Sequence, residues 1–376
     1  MKKIPFLKPA FPDISLIEKD LEVIYESGIY TNDGQFYKKF REMTEGYLGR
    51  DIKVSLVGNA TLGLMMAMKR LFIDERKKVL IQSFTFSAGA QAIIWSGYEP
   101  VFLDVNQQDW QADLGQARKY LNSNSEDVAG IVACNTFGVP NQAVGAWEEL
   151  ARDHELPLII DSAAGFGSDY KDGTKIGTRG DCEIFSFHAT KPFAIGEGGA
   201  ITSRDEEFIL AMDRMKNFSF NGNRESDFIG LNAKLPEIPC AIGTRIFDNF
   251  EKRLTIRRSI LSKYKERLKS ESVTFQQDDD LSTVPFLSVL LPEGQKEITG
   301  SLLERGIEVR NYYNPPLHKH PLYLRFETVS DMANTELICG RIISLPMYED
   351  LSDTDLDMIC GGIRKKLNKL ASARSL

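Results

Sequence analysis

The sequence predicts an α/β fold: a large domain over residues 1–245 on a mostly parallel sheet, then a smaller C-terminal α+β domain over 246–376. Three observations predict it. From Val54 onward, short apolar runs alternate with helical patterns, the signature of a parallel sheet covered on both faces. Glycine and polar residues follow these runs directly, and ligands of such sheets gather at the carboxyl ends of the strands. Finally, polar Glu271–Asp280 separates this region from a later strand–helix–strand pattern.

In chain order, Ser15–Glu26 is amphipathic, with Leu16, Ile17, Leu21 and Ile24 on one stripe, Asp13 or Ser15 as N-cap and Gly28 as its end. Tyr30–Gly34 is a turn cluster, and Phe36–Leu48 is a second helix with Phe36, Phe40 and Met43 inward. Strands are expected at Val54–Val57, Val79–Gln82, Val101–Val105, Ala129–Ala133 and Leu158–Ile160. Between them lie helices at Thr61–Phe72, Ala88–Ser96, Asp113–Leu121 and Gln142–His154. Two more extended runs, Glu183–Phe187 and Ala200–Thr202, flank Lys191. A helix (Asp205–Lys216), an irregular stretch (Asn217–Asn232) and a long helical pattern from Pro236 to about Lys269 lead to the smaller domain. There the pattern reads strand Pro285–Leu291, helix Gln295–Arg305, strand Ile307–Arg310, turn Asn311–His318 and closing helix Asp353–Leu370.

With 376 residues, 42% hydrophobic and 26% charged, the chain has the composition of a soluble globular enzyme with ample core. A net charge of −7 provides no basic footprint for nucleic acid. No long apolar stretch follows Lys2-Lys3, and no run approaches the ~20 apolar residues of a membrane span, so a cytoplasmic protein without membrane contact is expected. Five scattered cysteines without C-x-x-C suit a reducing compartment, and four histidines without H-E-x-x-H leave no metal site to expect.

The strand ends carry the chemistry. Lys191 lies between two extended segments, with Gly196-Glu197-Gly198-Gly199 behind it. A phosphate-gripping Walker lysine follows its glycines and opens a helix; here the glycines come after and Pro192 is next. That order favours a lysine that reacts, and its usual carbonyl partner is pyridoxal phosphate (PLP), held as a Schiff base. The cofactor then needs a phosphate cup, a ring to stack on and an acid for its pyridine nitrogen. Gly58-Asn59-Ala60-Thr61, opening a helix after the first strand, suits the cup. Phe84 and Phe86 follow the second strand, and Asp161 ends the fifth, where a buried carboxylate requires a partner. Taken singly, each has an ordinary structural reading as helix cap or core residue; their conjunction in this order carries the argument.

The run Ser186-Phe-His-Ala-Thr-Lys191 with Gly-Glu-Gly-Gly behind it resembles the sugar-nucleotide aminotransferases of PLP fold type I. Ser83–Val105, Gly230–Gly243 and Ser344–Leu351 resemble that family too, so the likeness covers nearly the whole chain. It implies that Lys191 carries the cofactor and later shuttles the proton, that Asp161 holds the pyridine nitrogen, and that Phe86 stacks on the ring. Ala60, Thr61 and Ser186 would bind the phosphate, and His188, Arg310, Tyr312 and His318 would face the substrate. Asn232 and Lys234 would complete the phosphate cup of a neighbouring subunit in a homodimer with shared sites. Where the family often has Gln or His three residues after the aspartate, this chain has Ala164. The implied reaction is amination of a nucleotide-linked keto sugar by L-glutamate, with Tyr30–Gly34 favouring C4 of a 4-keto-6-deoxyhexose. C3 amination and a non-catalytic PLP- or sugar-binding regulator are the alternatives.

Overall fold

The computed structural model describes residues 3–374. Two N-terminal helices, α1 (Ile14–Ser27) and α2 (Gln35–Leu48), precede the sheet. Asp13 caps α1 by accepting from the Ser15 N–H, and Gly28 ends it at φ 65°. The α1 stripe is not the one expected. Leu21 is exposed, and the buried residues are Ile17, Asp20 and Ile24. Asp20 is buried because Arg245 clamps it in a fork, at 2.8 and 2.6 Å.

The alternation then runs β1 (Lys53–Val57), α3 (Ala60–Leu71), β2 (Lys78–Gln82), α4 (Ser87–Trp95), β3 (Glu99–Leu103), α5 (Leu114–Asn124), β4 (Val128–Cys134), α6 (Val144–Asp153) and β5 (Leu158–Asp161). After β6 (Cys182–Ser186) and β7 (Gly199–Ser203) the helix α7 (Glu206–Met215) closes the large sheet region. The seven strands are ordered β1-β7-β6-β5-β4-β2-β3. Strands β2 to β6 pair in parallel, while β7 is antiparallel to both β1 and β6. Burial on both faces explains the near-continuous apolar runs of β1, β2 and β4.

The expected long helix after Pro236 is two helices, α8 (Glu237–Phe247) and α9 (Phe250–Leu268), parted at Asp248-Asn249. A three-stranded antiparallel sheet, β8 (Thr274–Phe275), β9 (Leu287–Leu290) and β10 (Ile342–Leu345), forms the second layer system in the order β10-β9-β8. Helices α10 (Gln295–Glu304), α11 (Ala333–Arg341) and α12 (Asp353–Arg374) accompany it. The expected strand Ile307–Arg310 does not form. Its ends make single bridges, Ile307 to Ile4 and Arg310 to Ser344, because its partners belong to different elements. The core of this region gathers Ile260–Leu268, β9, α10, β10 and α12 around Ile298 and Ile363. Beyond it, residues 317–332 return to the large sheet: Leu317 N–H donates to Ser83 O at 3.2 Å, and Phe102 N–H to Glu327 O at 2.9 Å. This return brings Tyr312 and Tyr313 over the carboxyl ends of the large sheet.

Candidate active site

At the end of β1, Asn59 caps α3 by accepting from Leu62 N–H at 2.9 Å. The first-turn N–H groups of Ala60 and Thr61 have no helical carbonyl to bond and point a positive helix end outward. Gly199 at the start of β7 allows this approach. A Cβ there would stand 2.8 Å from Ala60 N and 2.7 Å from Phe185 O.

Asp161 ends β5, paired in register with Cys134 and Ile184. Its Oδ1 accepts from Ala163 N–H at 3.1 Å, while Oδ2 accepts nothing from the described residues. Burial pushes its pKa up, opposed by the Ala163 bond and by the charge of Lys191. Burial pushes Lys191 down, and Asp161 offsets only part of that. Each of these two groups is therefore under-compensated by the other. A lysine in that condition has a larger share of free amine, and an aspartate in that condition favours a second cation beside it.

The Lys191 segment is tightly held. Lys191 N–H bonds His188 O at 2.9 Å, Ala189 N–H bonds Gly196 O at 2.8 Å, and Ile195 N–H bonds Phe187 O at 2.9 Å. Two residues on, Phe193 packs against Phe247 and Phe250 with ring centroids 4.8 and 4.9 Å apart.

A cavity of about 640 Å³ unites Ala60, Thr61, Phe86, Ser186, His188, Lys191 and Tyr312. A recess of about 50 Å³ continues from it to Asp161, sharing Lys191, Phe86 and Tyr313. Phe86, the residue before α4, is 62% exposed, its ring turned to this space rather than into the core; Phe84 is the buried one. His188 Nδ1 lies 2.8 Å from Thr190 Oγ1, and its Nε2 is 3.6 Å from Glu197 Oε1 at the rim. A second cleft of similar volume, between Arg70, Leu210 and Ile229, holds neither Lys191 nor Asp161.

Four expected residues are not brought to the cavity. Arg310 stays exposed over the Phe6 ring, 5.3 Å from its centroid, and His318 is held between Ser83 Oγ (2.7 Å) and Glu336 (3.3 Å). Neither therefore lines the cavity of its own chain. Lys234 Nζ bonds Asn217 Oδ1 at 2.9 Å, and Asn232 bridges Asn217 through its backbone, so neither lines its own chain's cavity. Sequence reasoning gave no role to Tyr313 and Glu197, which line it beside Asn59 of the expected cup. The Tyr-Tyr doublet before Asn-Pro-Pro was the available signal for Tyr313.

These residues fit PLP. The glycine-opened helix start takes a phosphate, the uncompensated Asp161 takes a protonated ring nitrogen, and the depressed Lys191 takes a carbonyl.

Residues 14–364 match the model of the DegT/DnrJ/EryC1/StrS aminotransferase family. Protein Rv3402c of Mycobacterium tuberculosis is 40% identical over 96% of this chain and 90% of its own length. The dTDP-4-amino-4,6-dideoxy-D-glucose transaminase of Shigella dysenteriae is 27% identical over 97% of this chain and 99% of its own. A crystal structure from Bacillus cereus, assigned to the PLP-dependent aminotransferases, superposes with a TM-score of 0.92 at 33% identity, covering 96% and 100% of the two chains.

Proposed function

The chain belongs to the DegT/DnrJ/EryC1/StrS aminotransferase family, PLP-dependent enzymes of fold type I, and from that premise we propose that it aminates a dTDP-linked 4-keto-6-deoxyhexose with L-glutamate as donor. The observation carrying this reading is the single cavity that joins Lys191, the Asp161 recess and the α3 start while leaving open space beneath Tyr312 and His188. Its volume of about 640 Å³ is within the usual range for small-molecule sites. The near full-length likeness to the Shigella transaminase supports the choice of sugar.

When bound, PLP supplies an electron sink that stores an amino group between donor and acceptor. Everything else falls to the chain. Ala60, Thr61 and Ser186 bind the phosphate through N–H and hydroxyl groups. Asp161 keeps the ring nitrogen protonated and is itself relieved of its buried, half-satisfied state. Phe86 lies against the ring and excludes water from that side. Burial keeps the Lys191 amine from full protonation, and that free amine would hold the cofactor through its carbonyl. With the donor bound, that amine would take the α-proton of glutamate, whose carbon skeleton would be released as 2-oxoglutarate with its keto oxygen from water. In the second half-reaction it returns a proton to the sugar carbon, whose ketone oxygen leaves as water and whose new bond is to nitrogen. His188 and Tyr312, at the open side, address the sugar nucleotide. Asn232 and Lys234 serve the phosphate cup of a second subunit, supplying the positive charge that the neutral cup lacks.

The test is a panel of nucleotide-linked 4-keto and 3-keto sugars given to the PLP-loaded protein with L-glutamate, following 2-oxoglutarate. Turnover of the dTDP-linked 4-keto sugar is expected. Turnover restricted to 3-keto sugars would move the site of amination, and bleaching of the yellow protein by glutamate with no sugar consumed would make every panel member the wrong acceptor.

A further inference from the structure

Tyr313 is fixed in the site by its ring and left unpaired at its hydroxyl. The ring stacks on Phe137 at 5.2 Å and meets Phe84 edge-on at 5.6 Å, while its backbone carbonyl accepts from Cys339 Sγ at 2.9 Å. It lines both the main cavity and the recess that ends at Asp161. No described residue hydrogen-bonds its hydroxyl. Burial, and after it the charge of Asp161, pushes the phenol's ionisation up, so it stands as an O–H donor.

The other polar groups of the recess are spent. Asn135 gives its amide to Ser162 Oγ at 2.8 Å and accepts from Asn141 N–H at 2.8 Å. Thr136 Oγ1 accepts from Gln82 at 2.8 Å and donates to Trp110 O at 3.0 Å. Thr85 faces the Cys134 thiol, and Ala163 and Ala164 carry no donor. Among the described residues, a ligand oxygen entering the recess beside Lys191 therefore has one free neutral side-chain donor to meet, that of Tyr313.

We infer that the Tyr313 hydroxyl donates a hydrogen bond to the ring oxygen of the bound cofactor, and so acts as a cofactor-binding residue for the amino transfer. The inference rests on the proposed placement of PLP. Three of that molecule's polar groups are already assigned, the phosphate to the α3 start, the nitrogen to Asp161 and the carbonyl to Lys191. The ring hydroxyl is the one left, and Tyr313 is the donor left. A donor there stabilises the deprotonated ring oxygen and so lowers the pH at which that oxygen gives up its proton.

The experiment compares wild type with Tyr313→Phe, which keeps the ring and its packing on Phe137. Dissociation constants are measured for PLP and for its analogue lacking the ring hydroxyl, together with the pH dependence of the bound cofactor's visible absorbance. A hydrogen bond to a charged oxygen predicts that PLP binding weakens by about tenfold or more in the variant. Binding of the deoxy analogue should stay within about twofold, and the absorbance midpoint should move upward in pH, because the oxygen loses its donor. Equal weakening for both ligands, or no change for either, overturns the inference; so does a variant altered only in KM for the sugar, which would turn Tyr313 toward the substrate. Wild-type protein that takes up no PLP would instead overturn the proposed function itself.

Discussion

Arg253 donates through Nη2 to the carbonyl oxygen of Pro192 at 2.9 Å, tying α9 to the residue that follows Lys191. The same guanidinium bonds Glu349 Oε1 through Nε at 3.0 Å, and Arg257, one turn along, bonds that oxygen at 3.0 Å as well. Glu349 follows β10, so one carboxylate fastens the smaller sheet to the helix that steadies the lysine turn.

The three partners are not equivalent. Arg257 is 4% exposed and, apart from Glu349, bonds only the Val284 and Pro285 carbonyls among the described residues. Glu349→Ala leaves that cation buried without its carboxylate and is expected to cost about 3–5 kcal/mol of stability. Arg253→Ala leaves Glu349 paired to Arg257 and should cost only about 1.5–3 kcal/mol, while loosening the lysine turn. Urea unfolding ranks the two; an equal or reversed order would mean that Arg257 does not depend on Glu349.

A second buried carboxylate predicts a pH effect. Glu183 on β6 accepts from Thr178 and Arg179 N–H groups at 2.9 Å each and from Ser162 Oγ at 2.6 Å, yet burial still raises its pKa from 4.5 to about 7. The folded chain thus holds this proton more tightly than the unfolded chain. Its contribution is fully present below pH 4.5 and is lost as pH rises through about 7, a change on the order of 3 kcal/mol. Relative to Glu183→Gln, the wild-type protein should lose stability over that window and run parallel above it. Denaturant midpoints of both proteins between pH 4.5 and 8.5 check this, and parallel curves throughout would return Glu183 to an ordinary carboxylate value.

How far the sequence carried can be seen at particular residues. The positions of Ala60, Thr61, Phe86, Asp161 and Lys191 were legible because the alternation of apolar runs and helices is local, and each lies at or shortly after the carboxyl end of a strand. Contacts across the fold were not. Asp20 breaks the apolar stripe of α1 only because Arg245, in α8, reaches it. His318 looked available until Ser83 and Glu336 were found on its two ring nitrogens. The break at Asp248-Asn249 has no proline or glycine to announce it, and β10 runs into a motif, Ser344–Leu351, read only through its likeness.

Asp161→Asn separates the chemical role from the architectural one. The amide keeps the shape and still meets the Ala163 N–H, but no longer holds a pyridine nitrogen protonated. Turnover should fall on the order of 10²-fold or more, the scale of losing one preorganised charge. Cofactor affinity should fall by less than about tenfold, because the phosphate cup is untouched. Lys191→Ala should abolish turnover and still bind PLP without a covalent link. Retained turnover in either variant would reduce the residue to a structural cap or turn.

The proposed sharing of the site between subunits makes the sharpest demand on the assembly. Lys234 and Asn232 leave their own cavity and lie on a segment bordered by Phe218, Phe220 and Ile229, which are 42, 39 and 63% exposed. Ile14 and Tyr25 in α1 and Ile238 in α8 are exposed as well, so the chain has apolar surface to offer a second copy. The cofactor's phosphate is dianionic, and the cup of Ala60, Thr61 and Ser186 supplies hydrogen bonds without positive charge. If Lys234 provides that charge across an interface, defects in the two halves of the site complement each other. Subunits carrying Lys191→Ala and subunits carrying Asn232→Ala with Lys234→Ala are each expected to be inactive. In a mixed dimer one site collects both defects and the other collects none, so activity should return toward half that of wild type per mixed dimer. Mass measurement of the exchanged dimers confirms mixing, and an inactive mixture with exchange demonstrated would mean that each chain completes its own phosphate cup.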